Sequence, residues 1–204
     1  MAYGMLIDLQ KCVGCQACEL SCKAANGTSR GIFRANVERT VTGTYPNVVR
    51  NITPKLCMHC TLAPCIDVCP TGATYKLDNG IVVVDKEKCI GDQSCIAACP
   101  YGNRYFTELD EGYFGAAGLT PYEEIAYAAT MVDQTVDKCD FCYSRAGNGE
   151  DPKPACVAAC VVEARIFGEY NEIKSLAESE SAVQLLPEEN TEPCVFYAPK
   201  AVGL

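Results

Sequence analysis

The sequence is poor in aromatic residues. It contains no tryptophan, and aromatic residues make up 8% of its 204 residues, although its apolar content of 49% is ordinary. Chains with too little side-chain bulk to bury commonly rely on bound metals, and metal binding is then coupled to folding. We therefore expect a cofactor to supply part of the core, and we expect the chain to be largely unfolded without that cofactor.

Positive charge and long apolar runs are also scarce. The chain has 17 Lys and Arg against 26 Asp and Glu, which gives a net charge of −9 and a pI near 4.7. Nucleic acids and anionic membrane surfaces both attract basic patches, so we expect neither as a partner. No apolar stretch approaches the roughly 20 residues that span a bilayer. Any association with a membrane is therefore expected to go through another protein.

Recognisable catalytic groups are missing as well. The sequence shows no nucleophile paired with a base, no phosphate-binding loop and no pair of groups suited to acid–base catalysis. We therefore predict that the chain is not an enzyme on its own. Any chemistry on a substrate is expected to take place in another chain.

Cysteine, in contrast, is abundant. Of the 16 cysteines, 15 fall into four short runs. Soft thiolates in such runs select iron-sulfur clusters, and C-x2-C-x2-C-x3-C followed by proline is typical of bacterial ferredoxins. The spacing therefore predicts a protein that transfers electrons. The runs are Cys12, Cys15, Cys18 and Cys22; Cys57, Cys60, Cys65 and Cys69; Cys89, Cys95 and Cys99; and Cys139, Cys142, Cys156 and Cys160.

The spacing within a run has a physical reason. A loop with two residues between cysteines can wrap three irons of a cubane cluster, while the fourth cysteine points elsewhere and binds the other cluster of a pair. Clusters therefore come in pairs, and four runs predict two pairs. An internal repeat agrees with this, because Cys-Pro-Thr-Gly-Ala at 69–73 matches Cys-Pro-Tyr-Gly-Asn at 99–103.

Two other uses of cysteine compete with this interpretation. A disulfide scaffold suits a short secreted chain, and 204 residues exceed that class. Zinc is the stronger competitor, since two C-x2-C pairs can hold one zinc ion. Zinc leaves the runs of three plus one with a trailing proline unexplained, so we prefer iron-sulfur clusters. A zinc-dependent interaction module stays as an alternative.

Around the cysteine runs the sequence predicts short elements of both kinds. We expect strands at 5–7, 73–75 and 165–167, and a hairpin over 74–85 that turns at Asp78-Asn79-Gly80. Short helices are expected at 17–25, 96–98 and 157–159. The fold class is therefore predicted as α+β, with ferredoxin-like units built from strands, cluster loops and short helices.

Two segments interrupt this plan. In the segment 108–137, Thr120, Pro121 and Glu123 form a capping box that predicts a helix start. Apolar residues then follow at helical spacing, and we expect this helix to cover the ferredoxin-like core, with a partner-binding role as the alternative. The residues of that apolar stripe are Ile125, Ala128, Ala129 and Val132.

The second segment is the acidic arm 171–204. We predict a short helix at 173–182 and an irregular end, because Pro187, Pro193 and Pro199 interrupt it. The arm is expected to wrap either another subunit or the body of its own chain. Cys194 lies there alone and is interpreted as an ordinary thiol.

The chain resembles the iron-sulfur electron-transfer subunit of the dimethyl sulfoxide reductase family, near the polysulfide and arsenate reductase branches. By that resemblance it holds four clusters and passes electrons between a molybdenum or tungsten bis-pterin catalytic subunit and a membrane anchor or another carrier. A free-standing polyferredoxin shuttle is the alternative. The motifs that carry the resemblance lie at 7–15, 57–60, 63–65, 68–73, 138–142 and 154–156.

The resemblance also implies a ligand set for each cluster and a domain order. An outer unit, residues 1–52 plus 138–170, has an inner unit, residues 53–107, inserted in it. The helical insertion 108–137 and the C-terminal arm 171–204 complete the chain. The four expected cysteine groups are Cys12, Cys15, Cys18 and Cys160; Cys22, Cys139, Cys142 and Cys156; Cys57, Cys60, Cys65 and Cys99; and Cys69, Cys89 and Cys95 together with Asp92.

Asp92 is the chief departure from the pattern, because it stands where a cysteine is expected. Carboxylate is a hard ligand and thiolate a soft one. The fourth cluster could be [4Fe-4S] with Asp92 as ligand, [3Fe-4S], as the nitrate reductase branch of the family suggests, or absent, and we prefer the first. His59, between Cys57 and Cys60, is expected to form a hydrogen bond to a cluster or the backbone rather than to bind iron.

Location is predicted from the beginning of the sequence. Residues 1–7 are too few and too uncharged for a signal peptide. We therefore expect a cytoplasmic protein, unless it is exported in the folded state together with a catalytic partner that carries a signal.

Overall fold

The computed structural model describes residues 2–109, 112–145 and 153–199. Short strands and helices alternate along this part of the chain, which confirms the α+β class. In chain order they are β1 (Tyr3–Asp8), α1 (Ala17–Asn26), β2 (Ala35–Thr44), β3 (Asn47–Leu56), α2 (Pro64–Asp67), β4 (Thr74–Lys76), β5 (Val82–Val84), α3 (Ser94–Ala97), β6 (Tyr105–Phe106), α4 (Pro121–Thr130), β7 (Val136–Asp137), α5 (Ala155–Ala158), β8 (Arg165–Glu169), α6 (Tyr170–Ser179) and β9 (Val195–Ala198).

A three-stranded sheet joins the two ends of the chain. β1 lies in its centre and pairs antiparallel with β8, in register Tyr3↔Glu169, and parallel with β9, in register Met5↔Val195. The central strand is buried because apolar side chains pack on both of its faces. The pairing of β1 with β8 therefore brings together the two ends of the polypeptide that lies between these strands.

The strand β9 corrects the prediction for the C-terminal arm. An irregular end was expected, and instead Val195–Ala198 form a fully buried strand. Pro193 and Pro199 flank this strand without interrupting it, so they remove no hydrogen bond from the sheet. The predicted helix in the arm is confirmed as α6. The described part of the arm thus packs on its own chain.

The predicted elements around the cysteine runs are confirmed. The hairpin of β4 and β5 pairs Thr74 with Val84, and α1, α3 and α5 begin within their cysteine runs. Several cysteines belong to the main apolar core, together with Met5, Ile7 and Phe141. The side chains that would bind clusters are therefore part of the core. The cysteines of that core are Cys18, Cys22, Cys139 and Cys156.

A long hairpin of β2 and β3 was not predicted. Its ten-residue strands pair from Ala35↔Leu56 at the base to Thr44↔Asn47 at the tip. The base is buried against the first cysteine run, where Arg39 donates to the carbonyl of Gly14 at 2.5 Å. The outer half of the hairpin is exposed.

Helix α4 begins where the capping box predicts, but its apolar stripe faces solvent instead of the core. The backbone N–H of Glu123 donates to Thr120 Oγ1 at 3.3 Å, and Glu123 Oε2 accepts from the Thr120 N–H at 2.7 Å. Ile125 and Val132 are exposed to 74% and 44%, whereas Tyr127 is buried. Polar contacts to the end of α1 decide this orientation. These are the hydrogen bonds from Tyr122 Oη to Ala24 O and from Thr130 Oγ1 to Gly27 O.

The remaining members of the predicted stripe complete this correction. Ala128 is exposed as well, and the side chain of Ala129 lies outside the described part of the structure. The predicted stripe at 125, 128 and 132 therefore faces solvent, and α4 is held at the end of α1 by its opposite side.

Candidate metal centre

The first cysteine group converges on one small cavity. Cys12 and Cys15 lie in the loop between β1 and α1, Cys18 is in the first turn of α1, and Cys160 follows α5. All four line the cavity, which Val37 and other residues close from the side. The structure therefore brings together thiols that are separated by more than 140 residues in the sequence.

The second group is assembled by the packing of α1 against α5. Burial raises the pKa of Cys22 to about 12, and the neighbouring thiolates of Cys156 and Cys142 add to this rise. Burial also raises the pKa of Cys139 well above its ordinary value. Thiols this close together are difficult to ionise without a cation, so the group is suited to a positively charged metal centre.

The third group lies at the ends of β3 and α2. Burial raises the pKa of Cys60 to about 12, and the thiolates of Cys57, Cys65 and Cys99 act in the same direction. The three neighbouring thiolates act on the Cys60 thiol because they lie close to it. The structure thus places Cys99, from the third run, beside three cysteines of the second run.

The fourth group contains Cys69, Cys89 and Cys95. Burial raises the pKa of Cys95, and the thiolates of Cys69 and Cys89 contribute to the rise. At Cys69 burial acts in the same direction, but hydrogen bonds outweigh it, and the pKa is lowered. One of these comes from the backbone N–H of Thr74 at 3.4 Å. Such bonds stabilise the thiolate, which is the form that binds iron.

Asp92 occupies the same backbone position as Cys15. Gly14 and Gln16 flank Cys15 with φ values of 68° and 64°, and Gly91 and Gln93 flank Asp92 with φ values of 69° and 62°. The loop conformation is therefore repeated around Asp92. The Asp92 carboxylate accepts a hydrogen bond from the Ser94 hydroxyl, and both Asp92 and Cys15 are exposed.

His59 lies at the contact between the second and third groups. Its ring stacks on Phe141 with centroids 3.9 Å apart, and its Nδ1 accepts from the Val82 N–H at 3.1 Å. The predicted hydrogen bond to the backbone is therefore confirmed. Burial, together with the nearby charges of Lys138 and Arg104, lowers the pKa of His59 well below its usual value. The ring is therefore neutral, and its proton is on Nε2, which has no partner within the described structure.

Comparison with known proteins agrees with the geometry. Two family models, each described as a 4Fe-4S dicluster domain, match residues 8–73 and 48–118. The arsenate respiratory reductase iron-sulfur subunit of Shewanella sp. (strain ANA-3) is 38% identical over 97% of this chain and 96% of that protein. A tetrathionate reductase subunit of Salmonella typhimurium is 38% identical over 96% of this chain and 71% of that protein. A selenate reductase subunit of Mesobacillus selenatarsenatis is also 38% identical, over 95% and 70%.

The chain belongs to the iron-sulfur subunits of the dimethyl sulfoxide reductase family. Members of this family are electron-transfer subunits of molybdopterin oxidoreductases and do not carry the catalytic site. The predicted family, function and non-catalytic role are therefore confirmed. The two dicluster matches and the 16 cysteines also support multiple [4Fe-4S] clusters.

The side chains fit the clusters of a dimethyl sulfoxide reductase family subunit. A tetrahedral zinc site holds its sulfur ligands at about 2.3 Å from one ion. Within residues 2–109, 112–145 and 153–199, no set of three or more His, Cys, Asp or Glu side chains is placed to hold a single metal ion. The fifteen thiols instead form four groups, and each group draws on two cysteine runs.

The helices of this subunit are short. In the part of the chain that the structure describes, no helix is both long enough and apolar enough to cross a bilayer.

Two buried residues of this subunit were not predicted. Arg104 and Arg165 lie among thiols of more than one cysteine group. The signal was present in the sequence, because each arginine follows the last cysteine of its run by five residues. Only the fold shows that both side chains turn inward.

Proposed function

We propose that this chain carries electrons through four iron-sulfur clusters, one in each cysteine group, between a molybdenum or tungsten bis-pterin catalytic subunit and a membrane anchor or other redox carrier. The observation that carries the proposal is the exchange of cysteines between runs. Cys160 joins the first run, and Cys22 joins the fourth run. This exchange is the arrangement that holds two clusters side by side.

Contacts between the groups support a continuous row of clusters. Cys18 and Cys22 lie four residues apart on α1, about one helical turn, so this helix contributes a ligand to the first cluster and one to the second. The stacked rings of His59 and Phe141 join the loops of the third and second groups. Cys65 and Cys69 bracket the end of α2 and lead from the third group to the fourth.

These contacts also support the division into two units. We assign the first and second clusters to the outer unit, 1–52 plus 138–170, and the third and fourth to the inner unit, 53–107. The pairing of β1 with β8 is consistent with an outer unit whose two parts enclose the inner one. The insertion 108–137 and the arm 171–204 are then additions to the two units.

We infer that the fourth cluster is [4Fe-4S] and that Asp92 is its fourth ligand. The repeated backbone conformation around Cys15 and Asp92 supports this assignment, because it presents both side chains from equivalent loop positions. A hard carboxylate ligand makes the iron at this corner more labile than one held by thiolate.

The role of Asp92 is tested by iron content and EPR spectroscopy of the anaerobically purified protein. Asp92→Ala is expected to lose one iron from the fourth cluster and to give the signal of an oxidised [3Fe-4S] cluster. Asp92→Cys is expected to hold all four irons and to change the spectrum of the reduced fourth cluster. Asp78→Ala, in the exposed turn between β4 and β5, is the control. If both Asp92 variants keep the iron content and spectrum of the wild type, the aspartate is not a ligand.

The partner is tested by purification from the native host. A tag on this chain is expected to recover a large molybdopterin or tungstopterin subunit in equal amount, and the clusters are expected to be reduced or oxidised when the substrate of that subunit is supplied. The names of the relatives, which are subunits of arsenate, selenate and tetrathionate reductases, support this expectation. Recovery of the chain alone, with clusters that respond to no large subunit, would favour a free-standing shuttle.

A further inference from the structure

Two buried arginines have no carboxylate partner among the residues that the structure describes, although buried charges are normally paired. Arg104 and Arg165 are exposed to 4% and 3%. Arg34, in contrast, is buried against Asp137, whose carboxylate accepts two hydrogen bonds of 2.7 Å from it. Among the ion pairs of the described residues, none contains Arg104 or Arg165. A buried guanidinium requires a counter-charge, so another anionic group is needed beside each.

The two arginines occupy equivalent positions in the two units. Arg104 follows Cys99 by five residues, and Arg165 follows Cys160 by five residues. The third residue after each cysteine has a positive φ, 63° at Gly102 and 50° at Glu163. The N–H of that residue donates to the cysteine carbonyl in both places, at 3.2 Å and 3.1 Å. The same turn therefore directs both arginines into the interior.

Each arginine lies between the two cysteine groups of its own unit. Arg165 interacts with Cys18, of the first group, and with Cys156, of the second. It also lines the cavity of the first group. Arg104 interacts with Cys57 and Cys65, of the third group, and the same side chain reaches the fourth group at Cys95.

Each guanidinium also has a free donor. Nη1 of Arg104 donates to Thr74 Oγ1 at 3.1 Å, and Nη1 of Arg165 makes a long contact of 3.9 Å with Met5 Sδ. The guanidinium groups also lie close enough to interact with thiols as hydrogen-bond donors, Arg165 with Cys18 and Arg104 with Cys95. The Nη2 atoms of both residues are buried and have no partner in the part of the chain that the structure describes. Leaving such a donor unsatisfied costs about 1–3 kcal/mol, and more for a charged group. An acceptor is therefore expected next to each Nη2.

We propose that Arg104 and Arg165 are equivalent positioning residues, one in each unit, which donate hydrogen bonds to sulfur atoms of the paired clusters and raise the reduction potentials of both clusters. This proposal rests on the proposed ligand sets. A cluster bound by four thiolates is anionic and gains a negative charge on reduction, so a buried cation favours the reduced form. One arginine between two clusters is therefore expected to raise the potentials of both.

The test is a redox titration of the anaerobically purified protein, followed by EPR spectroscopy. Arg165→Gln removes the charge and is expected to lower the potentials of the first and second clusters, and Arg104→Gln those of the third and fourth. We expect at least a tenfold change in the reduction equilibrium constant of the affected clusters, or about 59 mV for a one-electron couple. Arg165→Lys and Arg104→Lys keep the charge and are expected to restore part of the shift.

Arg50→Gln is the matched control, because it removes the same charge from the exposed half of the β2–β3 hairpin. A merely structural role for the arginines would change the iron content without moving the potentials of the clusters that remain. If the glutamine variants contain full iron and all four potentials equal those of Arg50→Gln, the proposal is wrong, whereas the proposed function stands. If the wild-type protein contains no clusters, the proposed function itself fails.

A second measurement does not depend on the folding of a variant. Wild-type protein labelled with 15N-arginine is reduced and studied by electron-nuclear double resonance. Coupling between the reduced clusters and guanidinium nitrogen is expected in both units. Spectra without any 15N coupling would overturn the proposal even if no arginine variant accumulates.

Discussion

The two proposed units of the chain differ in how deeply they cover their cysteines. Five of the eight outer-unit cysteines are buried, whereas in the inner unit only Cys95 is buried and the other six are half-buried. The outer unit contains the ten-residue helix α1, and its strands β1 and β8 form a three-stranded sheet with β9 of the arm. The helices α2 and α3 of the inner unit have four residues each, and its strands β4 and β5 form a two-stranded sheet. Solvent access influences both the potential and the lability of a cluster. If the four proposed clusters are present, we therefore expect the two pairs to differ in their properties.

The largest expected effect is that of iron removal. Incubation with an iron chelator under oxidising conditions is expected to release iron in two phases, first from the inner unit and then from the outer unit. Because the cysteines are part of the core, complete removal is expected to unfold most of the chain. Iron release is followed by absorbance and folding by circular dichroism. A single phase, or a folded protein without iron, would contradict the difference between the units.

Replacement of one ligand in each unit sharpens the comparison. Cys139 is buried between α1 and α5, so Cys139→Ala is expected to disturb the packing that holds both outer clusters. We expect this variant to lose about eight irons, and Cys69→Ala, at the less covered end, to lose about four. Quantification of iron in the purified variants measures the difference. Equal losses from the two variants would show that the depth of burial does not matter.

The loss of an ion pair that joins the two proposed units is expected to have the next largest effect, which is on the free energy of unfolding. Asp137 is buried and pairs with Arg34, from the outer unit, and with Lys86, from the inner unit. Asp137→Asn is expected to destabilise the protein by about 3–5 kcal/mol, because the buried Arg34 loses its two short hydrogen bonds and keeps the longer contact of 3.7 Å with Asp140. The matched control is Glu38→Gln, whose exposed carboxylate pairs with the half-buried Lys55, with an expected effect of about 0–1 kcal/mol. Urea unfolding under anaerobic conditions compares the two variants, and similar values would count against the role of the buried pair.

The same pair predicts the behaviour in acid. Burial tends to raise the pKa of Asp137, but Arg34 and Lys86 outweigh burial and lower it below its usual value. A lowered pKa in the folded state gives stability that is present above the unfolded value of about 3.9 and is lost as the pH falls through the folded value. The difference in stability between wild type and Asp137→Asn is therefore expected to be constant near neutral pH and to decrease only below about pH 4.

The smallest expected effect lies in the insertion between the units. Thr120→Ala removes one half of the capping box and is expected to destabilise α4 by about 1 kcal/mol. Hydrogen exchange of the amides in α4 measures this change locally. Ile125→Ala is the control, because Ile125 is exposed and surface substitutions usually stay within about 0.5 kcal/mol. A larger effect of Ile125→Ala would show that the apolar face of α4 is buried, as the sequence pattern predicts.

The features that could be predicted from the sequence are those that depend on the spacing of nearby residues. The cysteine runs, the helices that begin within them and the β4–β5 hairpin depend on neighbours a few residues away. The strand β9 was missed because its partner is β1, 190 residues earlier. The prediction of which face of α4 is buried was wrong because hydrogen bonds to the end of α1 determine its orientation. The burial of Arg104 and Arg165 follows from the convergence of several distant segments, although their equal offsets from Cys99 and Cys160 are visible in the sequence.

Quantification of iron and acid-labile sulfide in anaerobically purified protein tests the central claim most directly. Four clusters predict roughly sixteen irons and sixteen sulfides per chain, with one iron fewer if the fourth cluster is [3Fe-4S]. Colourless protein that contains zinc and no labile sulfide would contradict the account.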